Sequence, residues 1–166
     1  MHRRPPRRLP TFNYTGPLAY SVRFCTSGRR RLFTDAALVN FVLLQFLRAA
    51  RESGMAIVAY CFMPDHVHLL IVGERPESNA RMFIARAKQY SGHAYSKAFG
   101  LPLWQRFAYE RVLRSSESLR RVARYILANP QRAGLVNKPQ DYPFSGSFTH
   151  DVVDLLDATV DRNSRC

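Results

Sequence analysis

An α+β fold is predicted for this 166-residue chain, an antiparallel sheet with helices on one face and a further, C-terminal helix that carries Tyr125. Strand-length apolar and β-branched runs alternate with two amphipathic helix-length stretches, in the order strand, helix, strand, strand, helix, strand. The two consecutive strands are separated only by Met63-Pro64-Asp65, which makes them an antiparallel hairpin near the middle of the sheet. Length suffices for one domain with its own core. Cys25, Cys61 and Cys166 are too few and too scattered for a disulfide framework or a Cys-x-x-Cys zinc site.

Residues 1–15 are rich in Pro and Arg and poor in apolar side chains, which predicts a flexible basic arm. Leu18 to Thr26 has the aromatic and β-branched enrichment of a first strand. The following Ser27-Gly28-Arg29-Arg30-Arg31 is a loop whose arginines suit phosphate contact and a solvated turn equally. Thr34 or Asp35 caps a helix over Ala36 to Arg51, closed by cations and then Gly54. Met55 to Phe62 is the second strand, and the third begins at His66. Ser78 is placed to cap a second helix from about Asn79 to Ala98, stopped by Gly100. Its exposed face is expected to mix Arg81, Arg86, Lys88 and Lys97 with Tyr90, His93 and Tyr95, a composition suited to a nucleic-acid strand and also common on ordinary helices. Phe107 to Leu113 is the fourth strand. This βαββαβ order is ferredoxin-like, and fold alone assigns no chemistry.

Charge narrows the partners. Lys and Arg number 25 against 12 Asp and Glu, a formal +13 with pI near 10.5. Such an excess repels itself and is usually kept where a polyanion supplies the counter-charge. Most of it is arginine, whose planar fork matches phosphate. Nucleic acid is therefore the expected partner. No basic amphipathic stretch favours a membrane surface, no apolar run is long enough to cross a bilayer, and the arginines of residues 1–10 lead into no signal-peptide core. A cytoplasmic protein is expected.

Two places carry candidate chemistry. In Asp65-His66-Val67-His68-Leu69 the two-residue period of a strand turns both imidazoles to one side, close enough to share a metal ion. A bare His-x-His is more often a pair of partly buried polar residues, so the pair alone decides nothing. Ser115-Ser116-Glu117-Ser118 then opens a helix from Leu119 to Ala128, with Leu119, Val122, Ala123, Ile126 and Leu127 forming its apolar stripe. Tyr125 and Asn129 fall one turn apart on the flank of that stripe, presenting a phenol and an amide oxygen together. Beside a histidine pair and a basic chain, Tyr125 is a candidate nucleophile toward phosphorus, His66 and His68 candidate metal ligands, and Asn129 a third, oxygen ligand.

Four ordered blocks add a resemblance. They are Met63-Pro64-Asp65-His66-Val67-His68-Leu69-Leu70, Leu103-Trp104-Gln105-Arg106, the run from Tyr125 to Val136 containing Asn129-Pro130-Gln131-Arg132-Ala133-Gly134, and Asp141-Tyr142-Pro143-Phe144-Ser145. Together they resemble the single-tyrosine HUH transposases, IS200-like proteins, especially the REP-associated branch, over about Gly16 to Phe148. The resemblance implies a divalent Mg²⁺ or Mn²⁺ on His66 and His68. It also implies a Tyr125 that cleaves single-stranded or hairpin DNA through a 5′-phosphotyrosine, and strand transfer without ATP by a monomer or homodimer. Many relatives carry Asn at the position of Asp65. The domain is thus expected over residues 16–148, with an acidic tail over 149–166. That tail carries Asp151, Asp154, Asp157 and Asp161 at the spacing of a short amphipathic helix, and is expected to lie on the basic surface as a competitor for phosphate. The competing reading is a non-catalytic single-stranded nucleic-acid-binding module on the same fold, which needs neither Tyr125 nor the histidines.

Overall fold

The computed structural model describes residues 12–114 and 118–157. The ferredoxin-like order is realised: β1 (Ala19–Cys25), α1 (Ala36–Ser53), β2 (Met55–Met63), β3 (His66–Gly73), α2 (Ala80–Phe99) and β4 (Tyr109–Val112). After these come α3 (Leu119–Leu127), α4 (Asn129–Arg132), a two-residue β5 (Ser145–Gly146) and α5 (Val152–Leu156). All strand pairs are antiparallel, in the order β4-β1-β3-β2-β5. Among the described residues no helix is long and apolar enough to cross a membrane.

Period-2 alternation divides the sheet into two faces. Tyr20, Val22 and Phe24 of β1 join Val67, Leu69 and Ile71 of β3 in the core beneath α1 and α2, where Phe46, Phe83 and Trp104 are buried. A large apolar side chain buried there contributes about 1.5–3 kcal/mol. On the opposite face α3 lies over β2 and β3, packing Ala123, Ile126 and Leu127 on Val58, Ala59, Cys61 and Leu70. A bulge between Ile57 and Ala59 serves both faces. It lets Ile57 and Phe62, an odd number of residues apart, point into the α1/α2 core while Val58 and Ala59 both meet α3.

Several expectations move. Residues 12–15 of the expected arm belong to the domain, because Tyr14 is 9% exposed, stacks on Tyr20 and takes Phe12 edge-on. Residues 1–11 lie outside the described residues. Asp35 caps α1, but the cap of α2 is Asn79, whose side chain accepts from the Met82 amide. Ser78 is buried instead, its hydroxyl donating to the Gly54 carbonyl and accepting from the amides of Glu74 and Arg75. The exposed aromatic face of α2 is reduced, since Tyr95 is 5% exposed and packs on Phe99, and the Tyr90 hydroxyl donates to Glu52. β4 is shorter than Phe107 to Leu113 because it is an edge strand bonded only to β1.

The start of the expected acidic tail is also built into the domain. Asp151 caps α5 by accepting from the Val153 amide, and Leu155 is fully buried in the α3 layer. The helix meets cations through its backbone: Arg120 donates to the Asp154 carbonyl and Arg124 to the Asp157 carbonyl. Asp161, and the Ser115-Ser116-Glu117 start expected for α3, lie outside the described residues. Ser118 itself caps α3.

Gly73 closes the end of β3 against the segment before β1. A Cβ there would stand 2.0 Å from the Gly16 carbonyl oxygen and 3.0 Å from the Ser78 Cβ, both rigidly held. Gly73→Ala is expected to cost about 3 kcal/mol, at the upper end of ordinary overpacking. Gly100→Ala, where φ is +69° with open space around the Cβ, is expected to cost only about 1 kcal/mol. Urea denaturation of the two variants measures the difference.

Candidate active site

The strand register assembles a row of side chains on the face turned away from α1 and α2. Because Val22, Phe24, Val67 and Leu69 point into that core, their neighbours Arg23, Cys25, His66 and His68 point the other way. Arg23 is directly opposite His68 on β3 and Tyr109 on β4, and Cys25 is opposite His66. The α3 layer covers β2 and β3, while the β1 and β4 half of this face forms the floor of a cavity of about 580 Å³. Ser21, Arg23, His68, Tyr109 and Arg111 line it from the sheet, and Arg121, Val122, Tyr125 and Ile126 from α3.

The histidine pair is positioned from behind. His66 Nδ1 donates to Asp65 Oδ1 at 2.6 Å, and Arg29 Nε holds the other carboxylate oxygen at 2.9 Å. Gly28 and Arg29 take left-handed φ values of 63° and 55°, which turn the Arg29 guanidinium back onto Asp65 and the Cys25 Sγ. Arg30 meets the carbonyls of Ser27 and Pro102, so two of the three loop arginines are engaged within the protein. Despite partial burial, the His66 hydrogen bond and the Arg29 charge hold the Asp65 carboxyl below its ordinary range. Burial pushes both imidazoles toward the neutral form. His68, with His66 and Arg23 adding to the effect, is lowered to about 3.

Neutral imidazoles are the form that binds metal. With its Nδ1 proton committed to Asp65, His66 presents the Nε2 lone pair, which lies 3.1 Å from His68 Nε2. Two nitrogens each about 2.1 Å from one ion and at right angles to each other are about 3.0 Å apart. The donor set therefore fits a six-coordinate cation. A carboxylate behind a ligating imidazole fixes its tautomer and raises its basicity. Asp65→Asn keeps an acceptor but loses the charge, and is expected to weaken Mn²⁺ binding about tenfold by calorimetry with the fold unchanged.

Tyr125 stands where α3 passes the edge of its apolar stripe. Its ring is 60% exposed, and the Arg132 guanidinium lies 3.8 Å from its centroid. Arg132 also donates to the Tyr125 carbonyl at 3.1 Å and to Asn129 Oδ1 at 2.8 Å, tying the phenol and the amide into one unit. Asn129 Nδ2 donates to the Ile126 carbonyl at 2.9 Å, satisfying the open end of α3 where α4 begins. Of the four expected site residues, His68 and Tyr125 line the same cavity, His66 joins through His68, and Asn129 sits at the end of α3 with its oxygen on Arg132.

Sequence reasoning passed over Arg23, Arg111, Arg121 and Arg132, and reached Tyr109 only as a substitute nucleophile beside Tyr90 and Tyr95. Arg132 follows Tyr125 by seven residues and Asn129 by three, so helical spacing would have found it. Arg23 had no such signal, because its partner lies on another strand.

Comparison with known proteins places this geometry. A model of IS200-like transposases matches residues 15–129, from before β1 through Asn129. The chain belongs to the IS200-like transposase family. One relative, from Haemophilus influenzae and assigned as a REP-associated tyrosine transposase, is 32% identical over 107 residues, which are 57% of this chain and 60% of that protein. The REP-associated tyrosine transposase of Escherichia coli strain K12 is 29% identical over 132 residues, 78% of this chain and 77% of that one. Among solved structures, a REP-associated tyrosine transposase bound to a REP hairpin superposes with a TM-score of 0.69 at 21% identity. The superposition covers 84% of this chain and 81% of that one, a likeness of fold. The family match spans the histidine strand, the tyrosine helix and both edges of the cavity.

Proposed function

We propose that this IS200-like chain is a DNA transposase that cuts and rejoins single-stranded DNA beside a hairpin, using Tyr125 as the nucleophile. The observation that carries the reading is that His68 and an exposed phenol from α3 line one arginine-rich cavity, with His66 joined to His68 behind it. Both halves lie on one chain, which supports a Tyr125 that acts within its own subunit. The solved REP-associated tyrosine transposase with a REP hairpin bound, together with the relatives assigned as REP-associated transposases, supports hairpin DNA as the substrate class.

In this mechanism Tyr125 Oη attacks the scissile phosphorus, the new O–P bond forms as the bond to the 3′-oxygen breaks, and the DNA stays attached as a 5′-phosphotyrosine. Among the described residues no carboxylate lines the cavity, so the phenolic proton passes to water and the departing 3′-oxygen takes one back. Arg132, stacked on the ring, holds the phenol toward the cavity, and its attraction strengthens as charge grows on Oη. The phosphotyrosine keeps a phosphodiester's energy, so a 3′-hydroxyl attacking the same phosphorus reseals the strand without ATP. Mg²⁺ or Mn²⁺ on His66 Nε2, His68 Nε2 and Asn129 Oδ1 would supply positive charge to the scissile phosphate. Asn129 would take that role by exchanging Arg132 for the ion, its Nδ2 bond to Ile126 keeping the amide oriented.

A pool of single-stranded hairpin DNAs with randomised flanks, incubated with protein and Mn²⁺, is expected to give a covalent adduct on a denaturing gel. Sequencing the released fragment locates the cleaved phosphate. Chelation is expected to abolish the adduct and leave hairpin binding. Binding without any adduct, at every metal and temperature tried, would leave only the non-catalytic module.

A further inference from the structure

We propose that Arg23 is a catalytic residue of this site, binding the non-bridging oxygens of the scissile phosphate; the assignment rests on the reading of Tyr125 as nucleophile. Arg23 occupies the cavity floor directly across from His68, and its guanidinium lies 5.4 Å from the Tyr109 ring centroid. Its Nε is removed from solvent and has no hydrogen-bond partner among the described residues. A buried, unsatisfied N–H on a cation is costly and calls for an occupant. Among the described residues the cavity offers no carboxylate to satisfy it, so the complementary group is an anion from outside. The anion that must come between His68 and Tyr125 is the phosphate that reacts.

The geometry distinguishes Arg23 from its neighbours. Arg111 is paired across β1 with Ser21, one step further along the sheet from the histidines, and Arg121 approaches from α3. Arg23 alone among these three shares a cross-strand position with a histidine, and its charge acts on both imidazoles. As the Tyr125 Oη–P bond forms and the P–O3′ bond breaks, negative charge is held on the two non-bridging oxygens. A fixed guanidinium donating to those oxygens stabilises that state at no cost in reorganisation. Tyr109 keeps the guanidinium over the cavity floor when no DNA is bound.

The test uses charge removal on both partners. Adduct formation is measured for the wild-type chain, Arg23→Gln and Arg23→Lys on a hairpin DNA carrying either the normal phosphodiester or an uncharged methylphosphonate at the mapped cleavage position. On the phosphodiester, Arg23→Gln is expected to be slower by about 100-fold or more, the usual loss for one such donor, with Arg23→Lys between the two. On the methylphosphonate, which lacks the anionic oxygen Arg23 would meet, wild type and Arg23→Gln are expected to react within about threefold of each other. Hairpin affinity is expected to fall far less than the rate, since one phosphate contact among many is lost, and neither variant is expected to have a lower thermal midpoint than the wild-type chain. Equal slowing of Arg23→Gln on both DNAs, or no slowing on either, overturns the assignment while leaving Tyr125 in place. Failure of the wild-type chain to form any adduct on the phosphodiester removes the underlying reading and this assignment with it.

Discussion

Tyr125→Phe is expected to fold and bind hairpin DNA as the wild-type chain does while forming no covalent adduct. The substitution removes one oxygen from a ring that is 60% exposed and makes its described contacts through the ring face and backbone. Packing is therefore preserved, since the stripe that seats α3 consists of Ala123, Ile126 and Leu127. Arg132 still stacks on the phenyl ring, so the helix end keeps its shape. What is lost is the phenolic oxygen that forms the phosphoester in this mechanism, and the adduct should fall below detection. Competing nucleophiles are narrowed by the fold. Tyr95 is buried and Tyr90 donates to Glu52 on the far layer, which leaves Tyr109, an exposed phenol lining the same cavity. An adduct that persists in Tyr125→Phe and vanishes in Tyr109→Phe would move the nucleophile from α3 to the edge strand.

His68→Ala is expected to lower adduct formation by about 1000-fold or more, the loss of several kcal/mol of charge stabilisation. His68 sits between Arg23 and Cys61 in its cross-strand row, and its partner in hydrogen bonding is His66. Removing the ring leaves no buried ion behind, because burial keeps the imidazole neutral, lowered to about 3. Little stability should be lost, and circular dichroism melting should report a midpoint close to that of wild type. Mn²⁺ titration is expected to lose its binding isotherm in His68→Ala and in His66→Ala alike. Unfolding of either variant would instead mark the pair as a structural element of the sheet.

The two-residue period already places His66 and His68 on one face of a strand, and the 3.6-residue period already places Tyr125 at the rim of its apolar stripe. Elements, their order and the ferredoxin-like class follow from the same short-range regularities, because each depends only on residues within a few positions of one another. The ends of elements were less legible. Ser78 and Asn79 are both good caps by type, and only the burial of Ser78 against Gly54 decides between them. The first eleven residues of the expected arm and the last nine of the expected tail lie outside the described residues, but Tyr14 and Leu155 belong to the domain through partners distant in sequence.

The chain alone thus specified two half-sites and the charge they would face. Whether the halves meet was decided in three dimensions, by α3 crossing the face opposite α1 and α2 and by the Val58 bulge that seats it there. The same holds for Arg23, whose place beside His68 exists only once β1 and β3 are paired in register. Periodicity is written in neighbouring residues, whereas register, layer and crossing come from burying one apolar face against another far along the chain.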